Sequence, residues 1–81
     1  MIRHEVGARV EMRVRVSNPA LVQDLVEFLG RARCTTAGVH GAVLEVELPG
    51  VSDTTVARRN LGLYLAAWRG LHPPTEARIL D

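Results

Sequence analysis

Eighty-one residues make one domain at most, residues 1–81, with a small core and a thin stability margin. Apolar residues at 47% and charged residues at 23% exclude a disordered chain, and a single cysteine excludes an internal disulfide framework. Ten basic residues against nine acidic ones leave a net charge of +1, without the strong basic footprint of a nucleic-acid binder.

All the basic residues are arginine, a usage that fits high-GC coding, as do the many alanines, glycines and valines. The opening "MIRHEVGARV" has no continuous apolar segment, so no secretory signal is expected. No run approaches the roughly eighteen apolar residues of a membrane span. These features lead us to expect a reduced, cytoplasmic protein.

Residues 5–17, "EVGARVEMRVRVS", place Val6, Ala8, Val10, Met12, Val14 and Val16 at every second position. Strict period two predicts a strand with one buried face, the other showing Arg9, Glu11, Arg13 and Arg15. Asn18 then caps a helix with Pro19 at its first position, where a missing N–H costs nothing. Leu21, Val22, Leu25, Phe28, Leu29 and Ala32 share one face, and Gln23, Asp24, Glu27 and Arg31 the other.

A weak strand around Cys34 to Val39 follows, then a tight turn near His40-Gly41 and a second strand. There Ala42, Leu44, Val46 and Leu48 alternate with Val43, Glu45 and Glu47. Ala37-Gly38 lowers strand propensity and predicts an edge position. Ser52 or Asp53 caps a long helix over 53–71, stopped by Pro73-Pro74, and "TEARIL" alternates again as a last strand.

The order βαββαβ predicts an α+β, ferredoxin-like fold. Its sheet has four antiparallel strands in the order 4-1-3-2, with both helices on one face. Arg9, Arg13 and Arg15 on the open face of the first strand would then lie beside Glu45 and Glu47 on the third.

Several activities carried by such a fold lack their residues. RNA-recognition modules stack bases on open-face aromatics, whereas Arg9, Arg13, Arg15, Val43, Glu45 and Glu47 hold those places. Metal carriers need paired thiolates after the first strand, but Cys34 stands alone and His4, His40 and His72 are scattered. No glycine-rich, arginine-bearing phosphate loop of the acylphosphatase kind follows that strand. Cys34, at the end of the first helix, reads as a small core residue. We therefore expect no catalytic residues, metal or cofactor. An enzyme built on His40, Cys34 or Arg58-Arg59 is the least favoured class.

The run Ser17-Asn18-Pro19-Ala20-Leu21-Val22, with Leu25, Leu29 and the turn into Cys34, resembles the first strand-loop-helix of ACT domains. These are small regulatory modules that pair with one another and often bind amino acids. The resemblance covers residues 10 to 36. It departs from the ACT pattern where Ala20 and Arg33 stand for the two expected glycines, and the hairpin between the second and third strands is short. It implies a ligand region at Asn18, Pro19, Ala20 and Leu21 against a neighbouring subunit, with an amino acid as the kind of ligand. "LYLAAWRGLHP" is also similar to small uncharacterised proteins of high-GC bacteria, a likeness that implies no activity.

The second helix is apolar or small over most of its circumference. Ala57, Leu61, Tyr64, Leu65, Trp68 and Leu71 form one stripe, assigned to the sheet. Val56, Leu63 and Ala67 form a second stripe, and Gly62, Ala66 and Gly70 a ridge of small residues. The first helix would cover part of this arc. The excess predicts an interface at Val56, Gly62, Leu63, Ala66, Ala67 and Gly70, most simply with a second copy of the chain; the edge strand at 34–39 is the other candidate. The functional expectation is a small, non-enzymatic, self-associating ACT-like regulatory or ligand-binding domain forming a homodimer. The alternative is a structural or adaptor protein binding another polypeptide through helix 53–71.

Overall fold

The computed structural model describes residues 9–80. Its elements are β1 (Arg9–Val16), a 3-10 turn (Pro19–Leu21), α1 (Val22–Arg31), β2 (Thr35–His40), β3 (Val43–Pro49), α2 (Thr54–Leu71) and β4 (Ala77–Leu80). The alternation expected at Val6 and Ala8 lies outside the described residues.

The four strands form one antiparallel sheet, ordered β2-β3-β1-β4. That order, 2-3-1-4, counts from the β2 edge; the expected 4-1-3-2 counts from the β4 edge. Met12, Val14 and Val16 of β1, Leu44, Val46 and Leu48 of β3 and Ala77 of β4 are buried. They share one cluster with Val22, Leu25 and Leu29 of α1 and Ala57, Leu61, Leu65 and Trp68 of α2. Both helices therefore cover the same face of the sheet, and the other face is open.

Register follows from this one-sided burial. Val14 aligns with Leu44 and Ile79, Met12 with Val46, and Val10 with Leu48. A one-residue slip would turn each of these side chains to the open face. The same register sets the charges outside, and there it departs from the expectation. Arg13 stands opposite Glu45, but Arg15 faces Val43 and Glu47 faces Glu11, and in the backbone register Arg9 is paired with Pro49. Glu45 turns to the edge strand, its Oε2 lying 3.4 Å from Nε2 of His40. Gly38 makes room for that reach, since a Cβ there would stand 3.2 Å from Glu45 Oε1. The core side chains chose the register, and the surface pairs, each worth about 0.2–1 kcal/mol, followed.

The first helix opens differently from the expected single segment. Asn18 Oδ1 accepts from Ala20 N at 3.0 Å, and Leu21 N donates to Asn18 O, closing a 3-10 turn before α1 begins at Val22. Asp53 is the cap of α2, its Oδ1 accepting from the N–H groups of Thr55 and Val56. Leu71, expected on the sheet-facing stripe, is 67% exposed at the last position of α2. The helix has turned it out of the buried arc centred on Leu61, Leu65 and Trp68.

α1 ends in a left-handed cap carried by arginine. Arg33 has φ 67°, its N–H donates to Gly30 O, and Cys34 N donates to Leu29 O. These are the two bonds of a Schellman motif, whose left-handed residue is usually glycine. The conformation costs an L-residue about 1–2 kcal/mol, and a glycine there would lose about 0.5–1 kcal/mol to its freer unfolded chain. Arg33→Gly is thus expected to raise stability by about 0.5–1 kcal/mol, read as a higher urea midpoint at unchanged slope.

Candidate functional site

The loop after β1 is held by its own hydrogen bonds. Ser17 N donates to Glu76 O at 2.9 Å, and Ser17 Oγ accepts from Glu76 N at 2.8 Å, clasping the end of β1 to the start of β4. Among the residues expected to bind a ligand, Asn18 spends its side-chain oxygen on the cap, and Pro19 has no N–H. The N–H groups of Ala20, Leu21 and Val22 all donate within the turn. Pro19 and Ala20 are exposed, and Leu21 packs against the core. The N–H groups of Ser17, Ala20, Leu21 and Val22 are thus already used within the chain.

On α2, the core takes Ala57, Leu61, Leu65 and Trp68, with Tyr64 half-buried beside them. The opposite side is exposed and largely apolar. Leu63 is 63% exposed and Val56 38%, and Ala66, Ala67 and Gly70 are also exposed, with Gly62 half-buried. α1 therefore leaves the second stripe uncovered. A Cβ built at Gly62 or Gly70 meets nothing within 4 Å, so the packing of this chain does not require glycine at either place. Each lowers helix propensity by about 1 kcal/mol relative to alanine. Arg59 is the one charged side chain on the outermost part of this face, because Arg58 and Arg69 lie to its flank. Arg69 Nη1 donates to Ala77 O at 2.8 Å and so ties α2 to β4.

The C-terminal end of α2 holds a cluster that sequence patterning did not single out. Trp68 is fully buried, and its indole N–H donates to Asp24 Oδ2 at 2.8 Å. His72 Nε2 lies 2.9 Å from the same oxygen, and the Trp68 and His72 rings stand 4.6 Å apart at 40°. Periodicity alone puts Asp24 on the polar face of α1 and Trp68 on the core stripe of α2. A buried indole N–H needs an acceptor, and that need is the signal available in the sequence. The partner sits 44 positions away, beyond the reach of any local pattern.

Residues with nucleophilic or metal-binding chemistry do not converge. Cys34 is buried in the core, its Sγ 3.8 Å from Ala32 O, and burial pushes its thiol pKa up from 9.0. A thiol held protonated is a poor nucleophile. His40 lies across the sheet on the open face beside Glu45, and Arg58-Arg59 belong to α2. Among the described residues no three of His, Cys, Asp or Glu gather closely enough to hold a metal ion. No helix in that range is long and apolar enough to cross a membrane.

Open clefts lie at the surface of the described residues. One of about 370 Å³ lies on the open sheet face between Arg15, Ser17, Glu76, Arg78 and Leu80. A second, of about 240 Å³, is lined by Glu11, Met12, Arg13 and Glu45. A third, of about 200 Å³, sits near the end of α1 and includes Arg33, Asn60 and Tyr64. The residues Asn18 to Leu21 line none of these, although the cleft of about 370 Å³ touches their neighbour Ser17.

Compared with known proteins, the chain matches no family model, no curated protein and no solved structure.

Two measurements check this geometry. Asp24→Ala strands the Trp68 N–H inside the core and is expected to cost about 1–3 kcal/mol, whereas Asp24→Asn keeps an acceptor and costs less. Urea denaturation of both variants decides; equal losses would mean that the indole bond contributes nothing. For Cys34, the raised folded-state pKa means that the folded chain holds this proton more tightly than the unfolded one. Its contribution is complete below the ordinary thiol value of 9.0 and declines as pH rises through and beyond it. Relative to Cys34→Ala, the unsubstituted chain should therefore lose stability above that pH, as read from paired denaturation curves.

Proposed function

We propose that the chain is a small, non-enzymatic regulatory or ligand-binding domain that self-associates as a homodimer through the outer face of α2. The observation that carries this reading is the exposed arc of Val56, Leu63, Ala66, Ala67 and Gly70, interrupted by the single charge of Arg59. An eighteen-residue helix presents about 27 Å of contact length, enough for two copies to lie side by side. Gly62, Ala66 and Gly70 recur at four-residue spacing, so the backbones of two such helices could approach closely. A chain of this size gains stability it otherwise lacks by burying such a face.

In this reading the fold is ferredoxin-like, supported by the βαββαβ order, the antiparallel sheet and the helices on one side of it. The kinship with ACT domains rests on Pro19, Leu21 and the helix that follows. Arg33 adds to it by taking the left-handed conformation where that pattern carries glycine. A cytoplasmic setting is supported by the lone buried cysteine. An amino acid remains the ligand class that the ACT resemblance implies.

Light scattering across about a hundredfold dilution tests the self-association directly. A dimer is expected, with Leu63→Arg shifting it to a monomer that still unfolds cooperatively, its melting temperature lowered only by the loss of the dimer contacts. Gly62→Ala and Gly70→Ala should each stabilise the isolated fold by about 1 kcal/mol and yet weaken the dimer. A monomer at every concentration would overturn the homodimer and assign the same face of helix 53–71 to another polypeptide.

A further inference from the structure

We propose that the cleft where β1 and β4 meet on the open sheet face binds a small organic carboxylate. This inference rests on the reading of the chain as a binding module, and it does not require the α2 interface, which lies on the other side of the sheet.

The argument starts from the register. Across the sheet, His40, Val43, Arg15 and Arg78 occupy one row, and no carboxylate falls in it. Arg15 and Arg78 are direct partners on neighbouring strands, an arrangement of like charges that destabilises a sheet. Among the described residues, no hydrogen bond or ion pair engages either side chain. Glu45, the nearest acid along β3, is turned toward His40. Two arginines thus stand on adjacent strands and line one cleft, and among the described residues nothing takes up their donors.

The surroundings select the anion. The cleft of about 370 Å³ falls within the range of small-molecule sites. Ser17 Oγ accepts from Glu76 N, which leaves its hydroxyl proton to donate into the cleft. Glu76 also lines it, so among the described lining residues two arginines and one acid sum to a single positive charge. That balance suits a monoanion and disfavours a phosphate dianion. Arg13 does not enter the sum, because it faces Glu45 and lines the neighbouring cleft with Glu11 and Glu45. Leu80 and the arginine stems supply an apolar wall for the hydrocarbon part of an acid, while the paired guanidinium groups match the two carboxylate oxygens.

The test is an amide chemical-shift titration of the full chain with butyrate, run against chloride and inorganic phosphate at matched ionic strength. Saturable shifts at Arg15, Ser17 and Arg78 are expected with butyrate. Arg78→Gln should weaken binding about tenfold or more, while its melting temperature stays level or rises because the like-charge pair is gone. Arg13→Gln should leave the affinity nearly unchanged. Shifts that grow without saturating, phosphate binding as well as butyrate, or equal losses in the two variants would each overturn the proposal. Molar mass measured on the same samples separates the two readings. A dimer without butyrate saturation removes the carboxylate site alone, and a saturable monomer removes the homodimer alone.

Discussion

One face of a four-stranded sheet must be hidden from water, and nearly everything else in this protein depends on that constraint. Val14, Val16, Leu44 and Val46 are at most 1% exposed, beneath two helices that contribute Leu25, Leu29, Leu61, Leu65 and Trp68. Burial of each large apolar side chain is worth about 1.5–3 kcal/mol. A surface ion pair is worth about 1 kcal/mol at most. The core therefore dictates the register, and the open face receives whatever charge pattern that register leaves. Arg15 beside Arg78 and Glu11 beside Glu47 are consequences of packing on the far side of the sheet.

The helices divide the remaining work unequally. α1 is short and covers the sheet with one apolar stripe, its single acid in the first turn accepting from Trp68 on the other helix. That bond lets the largest side chain of the core be buried completely without stranding a polar hydrogen. α2 is almost twice as long and is anchored at three places: by Asp53 at its start, by Trp68 on Asp24, and by Arg69 on β4. These anchors fix which side of α2 faces the sheet, and so which side is left outward with Leu63 at its centre.

Two surfaces with different chemistry result, on opposite sides of the molecule. The outer face of α2 is apolar and built of small residues, suited to another helix. The end of the open sheet face is cationic and concave, suited to a small anion. A binding module that pairs through its helices keeps its open sheet face free for a ligand, so the two proposed uses do not compete for the same surface.

The sequence by itself determined the elements that depend on neighbours two to four positions apart. Alternation marked Met12 to Val16 and Leu44 to Leu48 as one-sided strands, residue type marked Asn18 as one cap and Ser52 or Asp53 as the other, and Ala37-Gly38 marked a weak strand that lies at the sheet edge. It also marked Val56, Leu63 and Ala67 as a stripe apart from the core, and in the structure these residues are exposed. Only the tertiary structure decided which charges meet across strands, that Asp24 would take the Trp68 indole, and that Leu71 would face outward. It also brought Arg15 and Arg78 together with Ser17 and Glu76 in a cleft. The physical reason is range. Periodicity and capping are local properties of a chain, whereas a register, a cross-helix hydrogen bond or a cleft between first and last strands is set by core packing among residues far apart in sequence.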